Sequence, residues 1–143
     1  MMNQEVRRIM TKNPVCVLPE QSLKEVEEMM LKHKIQQLPV VKEGKLVGLI
    51  TAYDLWKENT NQDPERQVSD IMNKNVLTIC PKDKVGTAAQ LFADKRFKTL
   101  PVVNLRNELK GVVTAFDVIR QAYLSEFPKP ILYKTEFLKT VMP

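Results

Sequence analysis

The sequence predicts a mixed α and β protein: two copies of one β-α-β-β-α unit, packed sheet against sheet about a pseudo-two-fold axis. Three observations carry this. Val6-Arg7-Arg8-Ile9-Met10-Thr11-Lys12-Asn13 returns sixty-two residues later as Val68-Ser69-Asp70-Ile71-Met72-Asn73-Lys74-Asn75, and Leu38-Pro39-Val40-Val41 returns as Leu100-Pro101-Val102-Val103. With one extra residue in the second copy, Gly48-Leu49-Ile50-Thr51-Ala52-Tyr53-Asp54 returns as Gly111-Val112-Val113-Thr114-Ala115-Phe116-Asp117. Matched stretches in a fixed order imply a duplicated supersecondary unit. Within each copy, β-branched apolar runs follow a stretch of helical period. Each unit has only about 55 residues, too few to bury a comfortable core alone, whereas two can share one.

The elements follow in order. Residues 3–10 read as a short helix. An extended piece over 14–19 comes next, bracketed by Pro14 and Pro19, which favour extended backbone and stop a helix. Ser22-Leu23-Lys24-Glu25 fits a capping box. Leu23, Val26, Met30 and Leu31 then recur at helical spacing, and that helix should end near Lys34. Residues 38–41 and 45–50 are apolar and β-branched around Glu43-Gly44, which reads as a hairpin. Asp54-Leu55-Trp56-Lys57 opens a second helix. The second copy repeats the order: a strand over 76–80, a helix over about 84–95, strands over 100–103 and 109–113, and a helix from Phe116 to about Leu124.

The polar stretch 58–66 with its single proline reads as a solvated linker. This divides the chain into a first unit over 1–60, a linker over 61–67, a second unit over 68–124 and a C-terminal extension over 125–143. Pro128 and Pro130 break any continuing helix in the extension. Ile131, Leu132, Tyr133, Phe137, Leu138 and Val141 are too apolar for a disordered tail. Packing on its own domain, reaching across a dimer and docking on a partner all stay open for it.

Composition excludes several classes. Apolar residues make up 43% and charged residues 27% of the 143, an ordinary balance for a globular domain. No apolar run approaches the roughly 20 residues of a membrane span, and the first residues lack the apolar core of a secretory signal. The cytosol is therefore the expected compartment. Twenty-two basic and seventeen acidic residues give a net charge of +5. The basic residues are scattered, without stacking aromatics, which argues against nucleic acid and is compatible with a phosphate-bearing small ligand. Cys16 and Cys80 are too few and too far apart for a zinc cluster, and His33 is the lone histidine. No metal site, activated nucleophile or Gly-rich phosphate loop is legible, so an enzyme is not expected.

The segments Gly48–Asp54 and Gly111–Asp117 carry the chemistry. On one reading Thr51 and Thr114 are N-caps, with Asp54 and Asp117 at the third helical position satisfying backbone N–H groups. On the other, the same helix starts form a ligand site. The N–H donors there face a phosphate or polar group, and the carboxylate accepts from the two hydroxyls of a ribose. Gly48 and Gly111 would permit close approach of a ligand or of neighbouring backbone. The readings are compatible, because a capping carboxylate keeps spare lone pairs.

Ile-Met before an Asn-x-Val strand, then Leu-Pro-Val-Val, then Gly-h-h-Thr-x-x-Asp (h apolar), all in duplicate, resembles a tandem pair of CBS (cystathionine-beta-synthase) domains, a Bateman module. The resemblance covers residues 6–57 and 68–120. It implies a regulatory module that binds AMP, ADP, ATP or S-adenosylmethionine between the repeats without turning it over, with no cofactor required. By position, Asp54 and Asp117 would take the ribose hydroxyls, and Thr51 and Thr114 would contact ribose or phosphate. Cys16 and Thr78, each three residues before a proline, would fall in the segment holding the adenine edge. The pair before Leu-Pro-Val-Val commonly holds phosphates; here it is Gln36-Gln37 in one copy and Lys98-Thr99 in the other. Neither His nor Arg stands there, a departure that favours AMP over ATP. The resemblance further implies a homodimer joined through paired helices and a separate effector protein. The alternative is a ligand-free dimerisation or protein-interaction module of the same fold. Trp56 reads as a core or interface residue rather than a base-stacking platform, whereas for Tyr53 and Phe116, at the same place beside each Asp, facing the cleft and packing both stay open.

Overall fold

Helix caps and turn residues place most elements where the sequence puts them. The computed structural model describes residues 1–58, 63, 65–95 and 98–127. In chain order these form a 3₁₀ turn (Val6–Arg8), β1 (Thr11–Lys12), α1 (Leu23–His33), β2 (Gln37–Lys42), β3 (Lys45–Thr51), α2 (Ala52–Glu58), α3 (Val68–Ile71), α4 (Val85–Lys95), β4 (Thr99–Val103), β5 (Leu109–Thr114) and α5 (Ala115–Glu126). Most of the linker and residues 128–143 lie outside the described residues.

Ser22 caps α1: its Oγ accepts from the Glu25 N–H at 3.2 Å, while the Glu25 carboxylate takes the hydroxyl proton at 3.3 Å. The helix stops at Lys34, whose left-handed backbone (φ 55°) returns its N–H to the Met30 carbonyl. Leu23, Val26 and Met30 are buried, but Leu31 points to solvent at 73% exposure. The apolar stripe is thus narrower than the sequence spacing suggests.

Each Leu-Pro-Val-Val run is the first arm of an antiparallel hairpin, β2 with β3 and β4 with β5. Leu38, Val40 and Ile50 enter one core, and Leu100, Val102 and Val113 the other. Glu43 and Gly44 both have positive φ, the combination a two-residue turn needs to match strand twist. The extra residue of the second copy lies in the longer loop 104–108. There the Asn104 side chain accepts from the Arg106 and Glu108 N–H groups. That loop docks on the first hairpin: Asn107 Nδ2 donates to the Leu46 carbonyl at 2.8 Å, and Leu109 N–H donates to the Gly44 carbonyl at 3.1 Å.

The segments expected as strands over 14–19 and 76–80 are each reduced to a single parallel bridge, Val17 to Val40 and Ile79 to Val102. Prolines explain this. Val17 N–H donates to the Pro39 carbonyl and Val41 N–H to the Val17 carbonyl. Extending that ladder would need an N–H from Pro39 on one side and from Pro19 on the other, and neither has one. Pro101 and Pro81 block the second copy in the same way.

The leading segments are exchanged. Val6 is buried in the core of the second copy with Ile79, Val85 and Leu100, and Val68 in the core of the first with Val17, Leu23 and Leu38. Val6 N–H donates to the Asp83 carbonyl and Arg7 N–H to that of Pro81; Val68 and Ser69 do the same to Gln21 and Pro19. Past each turn the chain lies along the other copy's hairpin, with β1 paired to β5 (Thr11 with Val112) and Asn73 bridged to Leu49. This decides what the glycines are for. A Cβ on Gly111 would sit 2.6 Å from the Thr11 carbonyl oxygen, and one on Gly48 would sit 2.6 Å from Met72 Sδ and 3.0 Å from the Asn73 oxygen. Of the two approaches open from the sequence, the glycines accommodate neighbouring chain.

Candidate functional site

The two helix starts are built alike to a tenth of an ångström. Thr51 N–H donates to Asp54 Oδ2 at 2.9 Å, and Asp54 N–H donates to Thr51 Oγ1 at 3.1 Å. Thr114 and Asp117 repeat both bonds at the same lengths. These are reciprocal capping boxes, so the carboxylates begin α2 and α5. Each is partly buried, and its Oδ1 has no hydrogen-bond partner among the described residues. The capping geometry thus leaves one acceptor oxygen per carboxylate unspent.

Among the described residues, two clefts between the repeats adjoin these helix starts. The first, about 350 Å³, is lined by Gln36, Gln37, Thr51 and Tyr53 from one copy and Asn73, Lys98 and Thr99 from the other. The second, about 280 Å³, has Pro14, Val15, Ile35 and Gln37 on one side and Thr99, Val112 and Thr114 on the other. Gln37 and Thr99 line both, which places them between the two clefts. Thr11 in the second cleft corresponds to Asn73 in the first, as the exchange of leading segments requires.

Of the residues singled out from sequence, Gln36, Gln37, Thr51, Lys98, Thr99 and Thr114 line a cleft. Asp54 and Asp117 stand behind Thr51 and Thr114 rather than in the lining. Cys16 and Thr78 lie outside both linings, and Cys16 is exposed. In an extended segment neighbours face opposite ways: Val15 turns to the cleft and Val17 to the core, so Cys16 faces out. Asn13, Val15, Ile35 and Asn73 were not singled out. The duplicated Lys-Asn after Ile-Met marked the neighbourhood of Asn13 and Asn73, but their facing the opposite copy's hairpin depends on the exchange.

Comparison with known proteins agrees with this geometry. The CBS domain model matches residues 6–55 and 68–123. The chain belongs to the CBS domain family. The crystal structure of CBSX2 in complex with AMP superimposes with a TM-score of 0.77 at 27% identity, covering 85% of this chain and 98% of that one; CBSX2 comes from Arabidopsis thaliana. The CBS domain pair of protein MJ0100, in complex with 5′-methylthioadenosine and S-adenosyl-L-methionine, gives a TM-score of 0.72 at 31% identity over 83% of this chain and 95% of that one. Homoserine O-acetyltransferase of Methanocorpusculum labreanum is 34% identical over 111 residues, which are 77% of this chain but 22% of that protein. The chain spans between about a fifth and a half of the first curated relatives it matches. The duplicated mixed α and β architecture expected from the repeat is that of a CBS pair. No helix among the described residues is long and apolar enough to cross a membrane.

Proposed function

We propose that this CBS pair is a regulatory module that takes an adenosine-type ligand, AMP, ADP, ATP or S-adenosylmethionine, in the clefts between its repeats and passes the signal to a separate effector. The observation that carries the reading is the matched pair of Thr-x-x-Asp helix starts beside two clefts, each with one carboxylate oxygen left over after capping. The complexes of related CBS pairs with AMP and with S-adenosyl-L-methionine support the ligand class. Asp54 and Asp117 accept the ribose hydroxyls, and Thr51 and Thr114 face ribose or phosphate. The apolar wall of Pro14, Val15 and Ile35 suits an adenine face in the second cleft. Among the described residues Lys98 is the lone cation lining the first cleft, so a monophosphate fits that lining better than a polyphosphate.

Calorimetric titration with these four ligands tests the reading, using wild type and the Asp54→Asn, Asp117→Asn double variant. Asn retains an oxygen for the cap and replaces the spare acceptor by a donor. Saturable AMP binding that weakens at least tenfold in a variant of unchanged melting temperature is the expected result. No heat with any of the four would sink it.

A second reading, dimerisation through the helices, rests on its own observation. The same two positions of α2 and α5 carry large exposed side chains: Tyr53 and Phe116, Trp56 and Ile119, with Trp56 78% exposed. A groove of about 290 Å³ between α4 and α5, lined by Phe92, Val118 and Ile119, continues this face. A second copy covering it would remove the exposed apolar surface from water. Sedimentation should give a dimer for wild type and a monomer for Trp56→Glu, Ile119→Glu; a wild-type monomer at high concentration would end this reading.

A further inference from the structure

We propose that the chain carries a second kind of binding site, for a compact polyphosphate, in the basic cavity between its leading segment and the β4–β5 hairpin. This cavity is about 840 Å³, and Arg7, Arg8, Lys12 and Lys110 line it, with Asn13 and Asn104 among them. No carboxylate of the described residues is in the lining. The four cations come from three elements: the 3₁₀ turn, β1 and β5. The pairing of Lys12 with Gly111 sets Lys12 beside the strand that carries Lys110.

Arg7 is paired with Glu5, whereas Arg8, Lys12 and Lys110 make no salt bridge among the described residues. Glu108, bonded to Asn104, faces the charge of Lys110 from the edge of the cavity, but Arg8 and Lys12 have no acidic partner among the described residues, and cations gathered in excess of acids are unfavourable until an anion arrives. The fold does not require it, as the duplication shows. At the corresponding positions of the other copy stand Ser69, Asp70, Lys74 and Val47, whose charges cancel. A hydrogen bond from Arg7, with the charges of Arg7 and of Lys84 and Lys82 outside the cavity behind it, holds the Glu5 carboxyl below the ordinary value.

The shape favours a small ligand. Cavities of roughly 300 to 1,000 Å³ hold small molecules, and guanidinium forks and ammonium groups match phosphate oxygens. Among the described residues no aromatic side chain lines the cavity to stack a base, which sets it apart from a single-stranded nucleic-acid groove. It shares Asn13 alone with the second cleft and nothing with the first, so it is separate from the proposed adenosine sites.

The test is calorimetric titration of the full chain with inorganic tripolyphosphate at a fixed ionic strength of about 0.15 M, where screening is substantial. Saturable binding is expected, at least tenfold weaker in Arg8→Ala, Lys110→Ala and unchanged in Asp54→Asn, Asp117→Asn. Both substituted cations are exposed, so an unchanged melting temperature is the folding control. Three results would each overturn the proposal: no binding, binding indifferent to Arg8 and Lys110, or tighter binding of a short oligothymidylate than of tripolyphosphate. Failure of all four adenosine ligands to bind would sink the adenosine reading and leave this one standing.

Discussion

The two copies share their hairpins and second-helix starts and differ in the groups they bring to the cavities. Leu-Pro-Val-Val, the strand glycines and the Thr-x-x-Asp helix starts are held in both, with matching register and hydrogen bonds. Gln36-Gln37 against Lys98-Thr99, and Arg7-Arg8 against Ser69-Asp70, are among the positions that diverge, and these line cavities or have partners that do; Lys84 likewise stands where the first copy has its capping Ser22. The duplicated hairpins hold the frame, while the cavities are free to acquire different charge. The comparison teaches where to look for specificity: at the broken symmetry, not at the conserved frame.

The largest expected effect tests the agreement of the cores. Leu38 and Leu100 are both fully buried at equivalent positions. Leu38→Ala and Leu100→Ala should each cost about 3 kcal/mol, with the same shift in urea midpoint. Because Val6 and Val68 are exchanged between the cores, each variant should still unfold in one transition. Two resolved transitions would show that the cores are not interlocked.

A smaller effect should separate the glycines. The obstacle to a Cβ at Gly111 is the Thr11 backbone oxygen, whereas at Gly48 it is first the end of the flexible Met72 side chain. Gly111→Ala should therefore cost about 2 kcal/mol and Gly48→Ala about 1 kcal/mol in the same denaturation assay. Equal costs would mean that the leading segment yields as readily as a methionine.

The smallest effects concern caps and charge. Asp54→Ala and Asp117→Ala each remove one capping box and should lower stability by about 1 kcal/mol apiece, a matched pair in thermal melts. Lys98→Ala should leave the melting temperature unchanged, since that side chain is exposed, while weakening AMP severalfold by calorimetry. Its mirror, Gln36→Lys, should strengthen it. No response to either would remove phosphate contact from this pair of positions.

Much of the frame was legible because it is local. The Ser22 cap, the Lys34 stop, the Glu43-Gly44 turn and the two Thr-x-x-Asp starts each depend on residues within a few positions of one another. Six of the ten residues singled out for a site line a cleft: Thr51 and Thr114 at the strand-to-helix turns, and Gln36, Gln37, Lys98 and Thr99 at or just before the starts of β2 and β4. The outward facing of Cys16 was not legible, because facing in an extended segment is set by a register that one bridge alone fixes, Val17 to Val40. Leu31 fits a helical spacing but faces away from the packed side.

The sequence by itself determined the duplication, the caps and turns, and the identity of the repeated motifs, because these are patterns of neighbouring residues. Only the tertiary structure decided that each leading segment crosses to the other copy. Strand pairing partners are not written in local periodicity, and a duplicated chain offers each segment two equivalent hairpins. That crossing turns Gly48 and Gly111 into contacts between the copies, carries Thr11 and Asn73 to opposite clefts, and closes the basic cavity against β5. The prolines sit between the two levels. Each is plain in the sequence, yet their joint effect, stopping a ladder after one residue on both sides, exists only once Pro19 lies opposite Val41 and Pro39 opposite Val15.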